Sequence, residues 1–100
     1  MSTKITFIID NPENPEEFEL AYAPVLAAVN DFPGLQRVES AKVWPKEDGT
    51  PTPAYRTLDL YFASYDDASA AVATATAGVV IGGLVQSGVT FTGLFSDIEQ

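Results

Sequence analysis

Histidine and cysteine are both missing from this 100-residue chain. Without cysteine there is no disulfide framework, no thiolate nucleophile and no cysteine-ligated zinc site. Without histidine, the usual general base near neutral pH and the commonest metal ligand are gone. Basic residues are scarce as well. Five of them against 14 acidic ones give a formal charge of −9, which repels phosphate backbones and anionic lipid surfaces, so neither nucleic acid nor membrane is an expected partner. The longest apolar run, AGVVIGGLV at residues 77–85, is too short to span a bilayer. The opening MSTKITFIID has no basic segment followed by a long apolar stretch, so a signal peptide is not expected and the chain reads as cytoplasmic. There is no low-complexity segment and no internal repeat.

What is present is an apolar content of 46%, enough for one domain over residues 1–100 with one core. Residues 4–10 (KITFIID) alternate with the period of a half-buried strand. Asn14, Pro15 and Glu17 supply an N-cap, a first helical proline and a cap partner three residues on. Behind them Phe18, Tyr22, Val25, Leu26 and Val29 form an apolar stripe on a helix to about residue 30, with Pro24 expected to kink or loosen it. Residues 37–44 form a weakly alternating second strand, and residues 45–53 (PKEDGTPTP) a loop. The third strand is residues 55–62. Ser64 and Asp67 open an alanine-rich helix to about residue 77, and VVIGGLVQ is either a short helix or an irregular connection. Residues 89–95 (VTFTGLF) make the fourth strand, ahead of a loose tail.

Strand, helix, strand, strand, helix, strand is the α+β, ferredoxin-like βαββαβ arrangement, a four-stranded antiparallel sheet with helices on one face. Parity places Ile5, Phe7, Ile9, Leu58, Leu60, Phe62 and the odd-numbered residues Val89, Phe91 and Phe95 beneath the helices. The other face collects Tyr55, Thr57, Asp59, Tyr61, Thr90 and Thr92, with Thr6, Ile8 and Leu94. Tyrosines, threonines and aliphatics, with little lysine or glutamate, suit a surface covered by a partner. The simplest partner is a second copy packed about a two-fold axis.

PEEFE at residues 15–19 with Tyr22, FPGLQRVE at 32–39, AKV at 41–43, PAYR at 53–56, LDLYFAS at 58–64 and GVT at 88–90 follow one another in the order of a known family. The chain resembles the EthD domain family, named after a component of ethyl tert-butyl ether degradation. The resemblance implies a dimeric α+β barrel, two ferredoxin-like subunits with facing sheets and a pocket between helix and sheet in each. Related barrels include muconolactone isomerases, quinone-forming monooxygenases and polyketide cyclases. The family usually carries a histidine on the first helix. Depending on where a one-residue gap falls, its place here is taken by Tyr22, Pro24 or Val25, so chemistry resting on that imidazole does not carry over.

The remaining candidates are weighed residue by residue. Tyr22 could orient or protonate a carbonyl as a catalytic group, or be an amphipathic core tyrosine. Asp59, desolvated between two sheets, could act as a base, or pair across a dimer with Lys42, Arg37 or a tyrosine hydroxyl. Arg56 could hold a carboxylate or enolate oxygen, or form a strand-edge ion pair. Trp44 and Tyr55 could stack on a planar ligand, with Phe7 and Phe18 as apolar ligand contacts, or Trp44 and Tyr55 could cover the barrel end. Glu13, Glu16, Glu17 and Glu19 read as capping and solvation of a helix first turn, with no metal site. The expected function is a homodimeric small-molecule-binding protein for a small hydrophobic or aromatic oxygenated compound. In its enzyme version it is a cofactor-free isomerase, cyclase or decarboxylase; the alternative is a non-catalytic binding, accessory or structural dimer.

Overall fold

The computed structural model describes residues 2–100. Its elements are β1 (Thr3–Ile9), α1 (Pro15–Val29), β2 (Arg37–Lys42), β3 (Arg56–Phe62), α2 (Tyr65–Val72), α3 (Ala75–Gln86) and β4 (Phe91–Asp97). The sheet runs β2-β3-β1-β4 with every pair antiparallel. This is the ferredoxin-like fold, with the helices on one face.

Strict alternation carries the two central strands. Ile5, Phe7 and Ile9 on β1 and Leu58, Leu60 and Phe62 on β3 are buried beneath the helices, while their neighbours are half-buried on the open face. Asn14 caps α1, its side chain accepting from the Glu17 amide, and Phe18, Tyr22, Val25 and Val29 form the buried stripe. Complete burial of a side chain such as Phe18 contributes roughly 2 kcal/mol.

Two expectations are corrected, for the alanine-rich segment and for the last strand, and one open alternative, that for VVIGGLVQ, is decided. The helix α1 continues through Pro24, which lies on its exposed side together with Leu20. The carbonyl that Pro24 cannot pair therefore faces water. The alanine-rich segment is two helices bent by 71°. Thr74 stands at the break in an extended conformation, and its hydroxyl donates to the Ala71 carbonyl at 2.6 Å, competing with helix continuation. VVIGGLVQ belongs to α3 and is helical throughout. The last strand starts at Phe91 and runs on to Asp97, whose carboxylate accepts from the Thr3 hydroxyl at 2.7 Å, so part of the expected loose tail is paired. Phe95, paired with Ile5 in the β1–β4 register, faces the helix side but remains 43% exposed, with its ring tilted against Tyr65.

Gly83 permits the closest helix contact. A Cβ there would stand 2.7 Å from a methyl of Val25, so α3 lies against α1 only because that side chain is absent. Among the described residues no single helix is long and apolar enough to cross a membrane.

Candidate functional site

The loop between β2 and β3 folds back over the sheet end. Asn11 Nδ2 donates to the Thr52 carbonyl at 2.8 Å, the Val43 amide to the Tyr55 carbonyl at 2.9 Å, and the Tyr55 amide to the Ile9 carbonyl at 2.7 Å. These bonds hold open a cleft of about 540 Å³ walled by Trp44, Pro45, Pro51, Ala54 and Tyr55, with Lys42 on its rim. Trp44 is 88% exposed. Pro45 and Pro51 in the cleft wall, with Pro53 beside them in sequence, keep the loop from pairing as a strand, which leaves the Trp44 ring uncovered.

Tyr55 joins this cleft to a polar cluster under α1. Its ring meets Phe18 edge-on at 5.6 Å and its hydroxyl donates to Glu19 Oε2 at 3.1 Å. Arg56 reaches the same carboxylate through Nε at 2.9 Å and Nη2 at 2.6 Å, with its guanidinium 5.1 Å from the Tyr22 ring centre. Tyr22 stacks on Phe18, and its hydroxyl shares a 2.8 Å hydrogen bond with Ser40. The hydrogen bonds from Arg56 pull the Glu19 pKa below the ordinary glutamate value, and burial raises the Tyr22 pKa, so near neutral pH Glu19 is an anion and Tyr22 a neutral phenol. Lys42 Nζ lies 5.3 Å from the Tyr55 ring centre.

Tyr55 leaves the open face on which parity placed it, because it precedes β3 and turns its ring toward α1. Asp59 keeps to the open face, away from Tyr22. It accepts from Thr6 at 2.5 Å and has Lys4 Nζ at 3.7 Å, so within one chain its partners are a threonine hydroxyl and a lysine ammonium. On the same face Tyr61 donates to Glu39 at 2.5 Å, beneath the guanidinium of Arg37.

The cleft and cluster thus bring together Trp44, Tyr55, Arg56, Tyr22 and Phe18. Phe7 instead lines a separate apolar groove of about 190 Å³ with Phe32, Val72, Ile81 and Phe95. Glu19, Ser40 and Lys42 belong to the cluster but were not legible as a set. Glu19 looks like one more first-turn carboxylate, and Ser40 and Lys42 are aligned only by the register Ser40↔Leu58 and Lys42↔Arg56. The parity of β2, which puts both on the side of Val38, was the available signal. Among the described residues no three acidic side chains gather as a metal site.

Solved structures share this fold over nearly the whole chain. An EthD family protein from Bacillus halodurans superposes with a TM-score of 0.88 at 15% identity, over 98% of this chain and 99% of that one. SnoaB, a cofactor-independent oxygenase from Streptomyces nogalater, gives 0.71 at 15% identity, over 99% and 94%. A dimeric ferredoxin-like protein of unknown function from Thermobifida fusca gives 0.75 at 8% identity, over 98% and 92%. At these identities the likeness establishes the fold. No family model and no curated protein matches the sequence.

Proposed function

We propose that this chain is an EthD-like homodimeric binding protein for a small, planar, oxygenated hydrophobic molecule. The observation that carries this reading is the open cleft of about 540 Å³ whose aromatic and proline walls adjoin the Tyr55–Arg56–Tyr22 cluster. Flat rings stack on Trp44 and Tyr55, and oxygens are met by hydroxyl and cationic groups at the rim. The dimer forms through the open sheet face, where Thr57, Asp59, Tyr61 and the exposed Leu94 lie, and completes an α+β barrel. Its fold neighbour from Thermobifida fusca is dimeric, which supports this assembly.

Trp44 is the single tryptophan, so its fluorescence reports directly on the cleft. A panel of planar aromatic ketones, phenols and carboxylates is expected to give saturable fluorescence changes, and Trp44→Phe is expected to lower the affinity read by calorimetry. No saturable change with any member of the panel, together with silent calorimetry, overturns the reading.

A second, catalytic reading is supported by the Tyr22–Ser40 hydrogen bond beneath Arg56 and by the cofactor-independent oxygenase among the fold neighbours. In it Tyr22, a neutral phenol, donates a hydrogen bond to a carbonyl or enolate oxygen while a proton moves within the substrate, giving cofactor-free isomerisation or cyclisation. Turnover of a panel substrate that survives Tyr22→Phe unchanged removes Tyr22 from that role.

A further inference from the structure

The cleft has an asymmetric charge. Its ten lining residues include no carboxylate, although 14 of the 100 residues are acidic, and they include one cation, Lys42. Three of the five basic side chains, Lys4, Arg37 and Arg56, are within ion-pair distance of a carboxylate on this chain. Arg56, the other cation of the cluster, is occupied on two nitrogens by Glu19. Lys42 makes no ion pair among the described residues and rests its ammonium over the Tyr55 ring, which it shares with the cleft wall. Glu19, the carboxylate of the cluster, is already paired with Arg56 through two hydrogen bonds.

We propose that Lys42 is the specificity residue of the cleft and selects planar ligands bearing a single negative charge, an aromatic carboxylate or phenolate, over their neutral counterparts. The inference rests on the binding reading above and names its ligand class. The aromatic body of such a molecule lies against Trp44 and Tyr55, and its oxygen anion meets the ammonium at the rim. A protein of net charge −9 repels anions at long range, so selection for one requires a local, unneutralised cation next to an apolar wall, which is what the cleft provides. Lys42 is also pre-positioned by its cation–π contact, so little side-chain freedom is lost on binding.

The test uses 2-naphthoate and 2-naphthamide, equal in shape and different in charge, titrated against the full chain and followed by the single tryptophan indole N–H cross-peak and by calorimetry. The expected result is tighter binding of naphthoate, on the order of tenfold, and an affinity for it that falls with added salt while that of naphthamide does not. Lys42→Gln is expected to equalise the two probes, Lys42→Arg to restore the preference, and Lys46→Gln, a loop cation outside the cleft lining, to leave it intact. Equal binding of the two probes by the unaltered protein overturns the inference and leaves the binding reading standing. A preference that survives Lys42→Gln does the same. Failure of both probes to move the Trp44 signal counts against the binding reading, and the inference falls with it.

Discussion

Arg56 and Glu19 meet edge to edge, Nε to Oε2 at 2.9 Å and Nη2 to Oε1 at 2.6 Å, and so tie the start of β3 to the second turn of α1. The bidentate geometry fixes the guanidinium over the Tyr22 ring and beside Tyr55. It also means that the most conspicuous cation of the cluster is not free to receive a ligand anion.

Removing the carboxylate should loosen this end of the molecule. Glu19→Gln is expected to destabilise by roughly 1 kcal/mol, because Glu19 is 39% exposed and solvent screens the pair. The folded-state pKa of Glu19 lies below the ordinary value of 4.5, so its contribution is complete above that pH and is lost as pH falls through the folded value. Urea melts of the two proteins should therefore differ at pH 7 and converge in acid. A constant difference across that range contradicts the assignment.

Tyr22→Phe keeps the Phe18 stack and loses the Ser40 hydrogen bond, a cost of about 1 kcal/mol. Burial raises the phenol pKa above 10, so the neutral form favours the folded state below that value and this advantage is lost as pH rises past it. Alkaline denaturation should begin at higher pH in the phenylalanine variant. An identical alkaline limb would show that Tyr22 ionises as freely folded as unfolded.

Two adjacent glycines in α3 should answer alanine in opposite directions. At Gly82 a Cβ meets nothing within 4 Å, so Gly82→Ala is expected to stabilise by about 0.5–1 kcal/mol through helix propensity. At Gly83 it would stand 2.7 Å from Cγ2 of Val25, whose β-branched side chain is stiff, and Gly83→Ala is expected to cost roughly 1–3 kcal/mol. Thermal melts decide, and shifts of the same sign would refute the packing of α3 on α1.

Leu94 is 44% exposed on one chain, so a charge there costs the folded monomer little. Leu94→Glu is expected to convert a micromolar dimer into a monomer with unchanged circular dichroism, read by sedimentation equilibrium. A monomeric parent protein would contradict the proposed sheet-face assembly.

The core of the sheet was legible because burial on one face imposes a period of two, and Leu58, Leu60 and Phe62 obey it without exception. The start of α1 was legible because Asn14, Pro15 and Glu17 are local signals that act within one turn. The α2–α3 break was not, since it turns on one threonine hydroxyl, Thr74, choosing a backbone carbonyl over the continuing helix. Phe95 was placed on the correct face, but its exposure depends on how far α2 and α3 cover the sheet edge, which no alternation encodes.

For the site the division is sharper. Sequence alone excluded histidine and thiolate chemistry, singled out Tyr22, Trp44, Tyr55 and Arg56, and set the overall charge. Only the tertiary structure decided that Asp59 is partnered on the open face, that Phe7 serves a different groove, and that Glu19 pairs with Arg56 while Lys42, at the cleft, makes no ion pair among the described residues. Composition and periodicity are properties of single residues and their near neighbours. Which charge meets which is set by strand register and by the 37-residue separation that folding closes between Glu19 and Arg56.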